Sequence, residues 1–215
     1  MTGEVPLPPG RGSAATMEVG AISALAEPMV SQMSDDAPEP CRVVALEWDR
    51  SHESFIAVVR AESASGVIVS QVHDHSVLGG LRWIRADEIV SLEDVPSDSP
   101  VVRLADHRGA RTMRVDASLT ELGSLLDLFT GLATPIAVYC QRTGSAELLV
   151  GSNALVDSGR LVLSEVDPSG TLTGATLGYD LDEIISVEWG TTYLDDLAEL
   201  ASLPTDGPGN MANPG

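Results

Sequence analysis

Lysine is missing from this chain: all twelve basic residues among its 215 are arginine, set against 32 Asp and Glu. The formal net charge is −20. A surface this acidic repels phosphate backbones and anionic lipid, favours solubility and draws basic partners. Aromatic residues are scarce, with three Trp, three Tyr and two Phe, so a core must be built from Val, Leu, Ile and Ala. Cys41 and Cys140 are the only cysteines, too few for a disulfide framework. Cys140 closes the apolar run Ile136-Ala137-Val138-Tyr139, which points to a buried, inert thiol, and nothing suggests an oxidising compartment. No run approaches the ~18 apolar residues of a membrane span. The N-terminus shows no basic stretch leading into an apolar segment and a small-residue cleavage site. No Gly-x-Ser-x-Gly elbow, Walker loop, His-Glu-x-x-His or Cys-x-x-Cys occurs. The expectation is a cytoplasmic protein, neither an enzyme nor a cofactor binder, with no membrane contact.

What is present begins with core material: 43% of the residues are hydrophobic, which is not the composition of a disordered chain. The charge is uneven. Residues 1–114 carry 17 acids and 10 Arg, net −7, and residues 115–215 carry 15 acids and 2 Arg, net −13. Residues 1–18 and 204–215 are rich in Pro, Gly and Ser or end in Asn-Pro-Gly, and read as disordered tails.

Between the tails lies a repeat. A shift of 94 residues places 41–80 on 135–174 without a gap and matches Val44/Val138, Ser51/Ser145, Glu53/Glu147, Ser70/Ser164, Val72/Val166, Leu78/Leu172 and Gly80/Gly174. Val67-Ile68-Val69 falls on Leu161-Val162-Leu163, and Phe55-Ile56 on Leu149-Val150. After one inserted residue, Asp87-Glu88-Ile89-Val90-Ser91-Leu92-Glu93 aligns with Asp182-Glu183-Ile184-Ile185-Ser186-Val187-Glu188, five of the seven being identical. The nearly constant shift at both ends argues for duplication.

Each repeat reads as five short, β-branched strands, near 42–48, 54–62, 66–73, 79–85 and 88–93, then 135–142, 147–156, 159–166, 174–180 and 184–189. Asp167-Pro168-Ser169-Gly170 is a tight turn. Helices flank the strands. Ser118–Leu132 puts Leu122, Leu125, Leu126 and Phe129 on one face, with Ser118 and Glu121 as a capping box. Thr192–Leu203 groups Tyr193, Leu194, Leu197 and Leu200, capped by Thr191 or Thr192. Ala21–Met33 is a helix kinked by or starting at Pro28. Five short strands bury little area as an open sheet, and closing into a barrel would enclose an aliphatic core. The expected fold is therefore mainly β with flanking helices (α+β): two tandem, five-stranded, bent-sheet barrels. The first, with its helix, spans 19–97, a linker 98–116, and the second, with its helices, 117–203.

Trp83-Ile84-Arg85-Ala86-Asp87-Glu88 followed by the apolar Ile89-Val90-Ser91-Leu92 resembles the second Sm motif, where Ile-Arg-Gly precedes polar residues and an apolar strand. Leu149-Val150-Gly151, Asp157 and Leu161-Val162-Leu163 resemble the first. The similarity to the Sm-like family covers about 41–93 and 135–189. It implies an N-terminal helix and five bent strands, ring assembly by edge pairing, and RNA binding. The chain departs from the pattern: Gly66 and Arg160 stand where a base-contacting Asn is expected, Ala86 replaces Gly, and Asp180 followed by Leu181 takes the Arg position of the second repeat. With a charge of −20, this argues that the family's RNA pocket is lost.

Four clusters carry candidate chemistry. His73-Asp74-His75 is the only metal-like grouping, and as a three-residue hairpin tip it reads as solvated, not as a site. Arg103, Arg108, Arg111 and Arg114, with His107, form the one basic run, better explained by pairing with acidic surfaces. Trp83, Ile84 and Arg85 would complete an RNA site with these arginines, although Trp48, Trp83 and Trp189 fit core packing better than base stacking. The acids from Asp180 to Glu199 read as a solvated face. The resulting expectation is a non-catalytic protein-interaction or assembly module, partnered by another protein or by itself, with the strand edges around 79–93 and 174–189 as the surface. The alternatives are an RNA-binding regulator using the first repeat, disfavoured by charge, and an acidic immunity-type inhibitor of a basic partner.

Overall fold

A computed structural model describes residues 30–31, 40–48, 51–72, 80–107, 111, 114–142 and 145–203. The first unit contains β2 (Cys41–Trp48), β3 (Ser51–Glu62), β4 (Gly66–Gln71), β5 (Leu81–Arg85) and β6 (Ile89–Asp94), with a single 3-10 turn, Ala86–Glu88, between β5 and β6. The second contains β8 (Ile136–Arg142), β9 (Ser145–Asp157), β10 (Arg160–Val166), β11 (Leu172–Asp180) and β12 (Ile184–Trp189), with a 3-10 turn, Leu181–Glu183, before β12. A small ladder joins β1 (Val30–Ser31) to β7 (Arg114–Val115). Three α-helices lie among the described residues: α1 (Pro100–His107), α2 (Leu122–Phe129) and α3 (Thr192–Ser202). The chain is mainly β with flanking helices, and none of these helices is long and apolar enough to cross a membrane.

All ten strands of the two units form one antiparallel sheet, in the order β11-β10-β9-β8-β12-β5-β4-β3-β2-β6. Two separately closed barrels are not found. The fourth strand of the first unit, β5, pairs with the last strand of the second, β12, and the sheet remains open at β11 and β6. The backbone donors and acceptors on the outer edge of β5, which closure would have satisfied within the first unit, are met by β12 of the second, while those of β6 are not met among the described residues.

The strand order is the same in both units, and so is the register. Val43 faces Glu93 and Ala45 faces Ser91, with a shift before Leu46 and Ile89; Ala137 faces Glu188 and Tyr139 faces Ser186, with a shift before Cys140 and Ile184. Val67 opposes Ile84 and Val69 opposes Arg82, as Leu161 opposes Tyr179 and Leu163 opposes Leu177. The hydrophobic clusters cross the junction. Ile68 and Trp83 of the first unit pack with Leu125, Phe129, Ile136, Leu161 and Ile184, while Ile185 of the second packs with Val44, Val59, Val69 and Ile84. Apolar burial, at about 25 cal/mol per Å², therefore favours the joined arrangement over separate units.

The helices differ from expectation at their ends. Residues 117–120 form a 3-10 turn capped by Asp116, whose carboxylate accepts from the Ser118 amide at 2.8 Å. The α-helix begins only at Leu122, Glu121 caps nothing with its side chain, and its Oε1 instead accepts from Ser65 Oγ at 2.6 Å. The Ser118–Glu121 capping box is thus replaced by an Asp cap two residues earlier, on the 3-10 turn. Thr191 caps α3 as expected, accepting from the Leu194 amide. Within the stretch read as a linker, Pro100–His107 forms α1 and buries Val102 and Ala105 against Cys41 and Val58. The proposed Ala21–Met33 helix lies outside the described residues except for Val30–Ser31, which are strand. Both tails also lie outside them.

Candidate assembly interface

The junction between the units is built around Arg82. It sits in mid-β5, directly opposite Glu188 on β12, and is 4% exposed. Its guanidinium makes a two-pronged contact with Glu53 of β3, Nη1 to Oε1 at 3.1 Å and Nη2 to Oε2 at 3.3 Å. Nε donates to Ser186 Oγ at 2.9 Å and lies 3.3 Å from Glu188 Oε1. The group is also held between two rings, 5.4 Å from the centroid of Phe55 and 5.1 Å from that of Tyr139. Burial of a guanidinium is tolerable only with this degree of pairing. Its planar fork meets a carboxylate and two ring faces at once, which an ammonium does not. Burial, reinforced by the Glu188 and Glu53 carboxylates and opposed by Arg82, pushes the Tyr139 hydroxyl up to about 12.

Arg85 fastens the end of the same strand. Its Nη2 donates to the carbonyls of Leu181, at 3.3 Å, Asp182, at 2.5 Å, and Ile184. Gly80, just before β5, passes so close to the Trp189 and Gly190 backbone that a Cβ there would overlap it. A recess of about 410 Å³ opens over this junction, bordered by Gly80, Leu81, Arg82, Tyr139 and Tyr193.

The sequence places the expected assembly surface around 79–93 and 174–189. The structure divides that set. β5 and β12 are paired with each other inside the chain, whereas β6 and β11 each have one neighbour and one open edge among the described residues. Just past β6 the Val95 amide donates to Cys41 O. The alternation of an antiparallel ladder then turns the amides of Leu92 and Asp94 away from β2. Val90 is 61% exposed on this edge strand. Glu93 is exposed as well, and Asp94 pairs with Arg42, which also holds Glu62. On β11, residues 172–176 are exposed, and Asp180 pairs with Arg160 at 2.8 Å.

The residues read as a possible RNA site are dispersed. Trp83 is buried and its Nε1 donates to Thr120 O at 2.7 Å. Ile84 is fully buried in the core and Arg85 is committed to the three carbonyls above. Arg103 is exposed on α1, while Arg111 is bound to Asp106 at 2.9 Å. Arg108 and the side chain of Arg114 lie outside the described residues, as do His73, Asp74 and His75. Trp189 packs edge-on against Phe129, with ring centres 5.7 Å apart. Among the described residues, no group of three or more His, Cys, Asp or Glu is placed to hold a metal. Arg82 was not singled out as a site from sequence, although its partners carried a signal: Glu53, Ser186 and Glu188 all belong to identities of the repeat. Comparison of the chain with protein-family models and with curated proteins finds no match.

Proposed function

We propose that this chain is a non-catalytic protein-interaction module made of two Sm-like units, and that it works through the open edges of its sheet. One observation carries the reading: β5 and β12 already join two units edge to edge within the chain, and the same order of strands leaves β6 and β11 available for a further strand. Exposed edges of this kind bind partners by main-chain hydrogen bonds, with alternate side chains supplying selectivity. The equal strand order, the equal register and the shared register shifts support the duplicated Sm-like reading of the fold. Of the two positions at which the family resemblance would place an RNA-contacting arginine, that of the first unit is Arg85, engaged at the junction, and that of the second is Asp180, paired with Arg160.

The test is hydrogen–deuterium exchange of the full chain, alone and with a purified partner identified by pull-down. Protection confined to residues 89–94 or 172–180 is the expected result. Protection centred on residues 103–114, with binding abolished by ribonuclease, would replace the reading with RNA binding. Protection at neither edge with any captured protein would remove it.

A further inference from the structure

The open edges of this chain are almost, but not quite, a second copy of its internal junction. The difference lies in two residues. Counting back from the 3-10 turns, Leu177 of β11 stands where β5 has Arg82, and Asp180 where β5 has Arg85. The acceptors are repeated: Glu147 corresponds to Glu53, Ser91 to Ser186 and Glu93 to Glu188. The donors are not.

We infer that Leu177 and Asp180 keep β11 of one molecule from pairing with β6 of another, and that the β6 edge is built for a foreign strand carrying arginine at the two corresponding places. The inference rests on the reading of the edges as docking sites. Transferring the internal register to a contact between two molecules puts Ser91 opposite Tyr179, Leu92 opposite Gly178 and Glu93 opposite Leu177. The carboxylates of Glu147 and Glu93 then converge around an aliphatic side chain with no cation between them. Desolvating two like charges without a counter-ion is strongly unfavourable. At the strand end, the Arg85 guanidinium is replaced by the Asp180 carboxylate, which is already paired with Arg160 at 2.8 Å and is brought against the carbonyls of Ala86, Asp87 and Ile89, the counterparts of Leu181, Asp182 and Ile184. Acceptor then meets acceptor. A like-charge clash of this kind excludes wrong partners as effectively as attraction selects right ones. The same Glu93 and Ser91 offer an arginine-bearing strand the counterparts of two polar partners that Arg82 has inside the chain, Glu188 and Ser186.

Two measurements on the full chain test this. In sedimentation velocity, the wild type should run as a single 22.5 kDa chain. The Leu177→Arg/Asp180→Arg variant should form head-to-tail assemblies that a further Glu93→Arg change disperses, and Leu177→Ala/Asp180→Ala should not assemble. In parallel, a synthetic peptide of residues 79–87 is added to the wild type, with amide exchange read at residues 89–94. It should bind at least tenfold more tightly than the same peptide with Leu and Asp at the two arginine places. Wild-type assemblies joined through β6 and β11, or equal binding of both peptides, would overturn the inference. A folded double-arginine variant that stays single while the arginine peptide protects β6 would also overturn the role of positions 177 and 180, leaving the docking edge intact. If neither the peptide nor any protein partner protects β6, the docking reading falls with it.

Discussion

Arg82 and Glu188 face each other in directly opposed positions of β5 and β12, with Nε 3.3 Å from Oε1, and this pair joins the two halves of the chain. Glu53 binds the other side of the same guanidinium. The pairing is polar, but its surroundings are not: Val69, Ile84 and Ile185 lie in one cluster with Phe55 and Tyr139. Loss of one member leaves charges without a partner in a partly dry site.

Arg82→Leu should therefore destabilise the chain by about 3 kcal/mol, the order expected for removing one partner of a buried ion pair. Arg82→Lys should recover only part of this, because an ammonium does not reproduce the forked contact with Glu53 or the stacking between rings. Replacing Glu53 and Glu188 by Gln in the Arg82→Leu background should restore some stability, since the stranded charges are then gone. Urea unfolding midpoints at neutral pH measure all three.

Alkaline unfolding supplies a second check. Tyr139 ionises near 12 in the fold against an ordinary 10.0. A group with a raised folded value binds more protons when folded than unfolded between the two values. Its contribution is fully present below pH ~10 and is lost as the pH climbs towards about 12. Tyr139→Phe should flatten the fall of stability across that window and remove a tyrosinate step near pH 12 from the absorbance titration. A stability slope unchanged by the substitution would place the alkaline sensitivity elsewhere.

Ten strands were legible in the sequence because alternation and turn residues act locally. Asp167 shows this: its Oδ1 accepts from the Ser169 and Thr171 amides, and Gly170 sits at φ +79, as the turn requires. What was not legible is pairing between distant edges. β5 carries the same local signals whether it closes its own unit or joins another, so barrel closure was expected and an open ten-stranded sheet was found. Helix α1 was missed because its apolar face is small, with Val102 and Ala105 its only buried residues. The departures from the Sm pattern were visible as letters but not as packing. Gly66 lies under the Trp83 indole, whereas in the second unit Arg160 takes that place and donates to Gly178 O at 3.2 Å. The large and the small residue have exchanged strands, a compensation that only the register reveals.

Gly66→Ala tests that compensation. A methyl at this position would overlap the Trp83 ring, whose Nε1 is fixed to Thr120 O. The indole must shift or surrender that bond, at a cost of about 1–3 kcal/mol for overpacking. The expected result is a lower melting temperature with a red shift in tryptophan emission. The double change Gly66→Ala/Trp83→Phe, which removes both the clash and the indole donor, should show no further loss beyond that of Trp83→Phe alone.

The two thiols report on how the fold opens. Cys41 and Cys140 are both buried and not joined by a disulfide, and burial raises the Cys41 thiol above its ordinary value, with Arg111 opposing. Neither should react with a thiol-specific reagent at pH 8 on the timescale on which the unfolded chain reacts completely. Their surroundings differ. Cys140 sits in the large cluster that spans both units, while Cys41 belongs to a small one closed by the eight-residue helix α1. Small peripheral clusters open at lower free energy than the central core. Cys41 should thus be labelled faster than Cys140 in the native state. Val102→Ala removes two carbons from the seal over Cys41, worth about 1.5 kcal/mol at roughly 0.8 per buried methylene. It should accelerate labelling of Cys41 about tenfold and leave the difference between Cys140 labelling and global unfolding unchanged. Equal rates at both thiols, moving together in Val102→Ala, would mean that α1 and the ten-stranded sheet open as one unit.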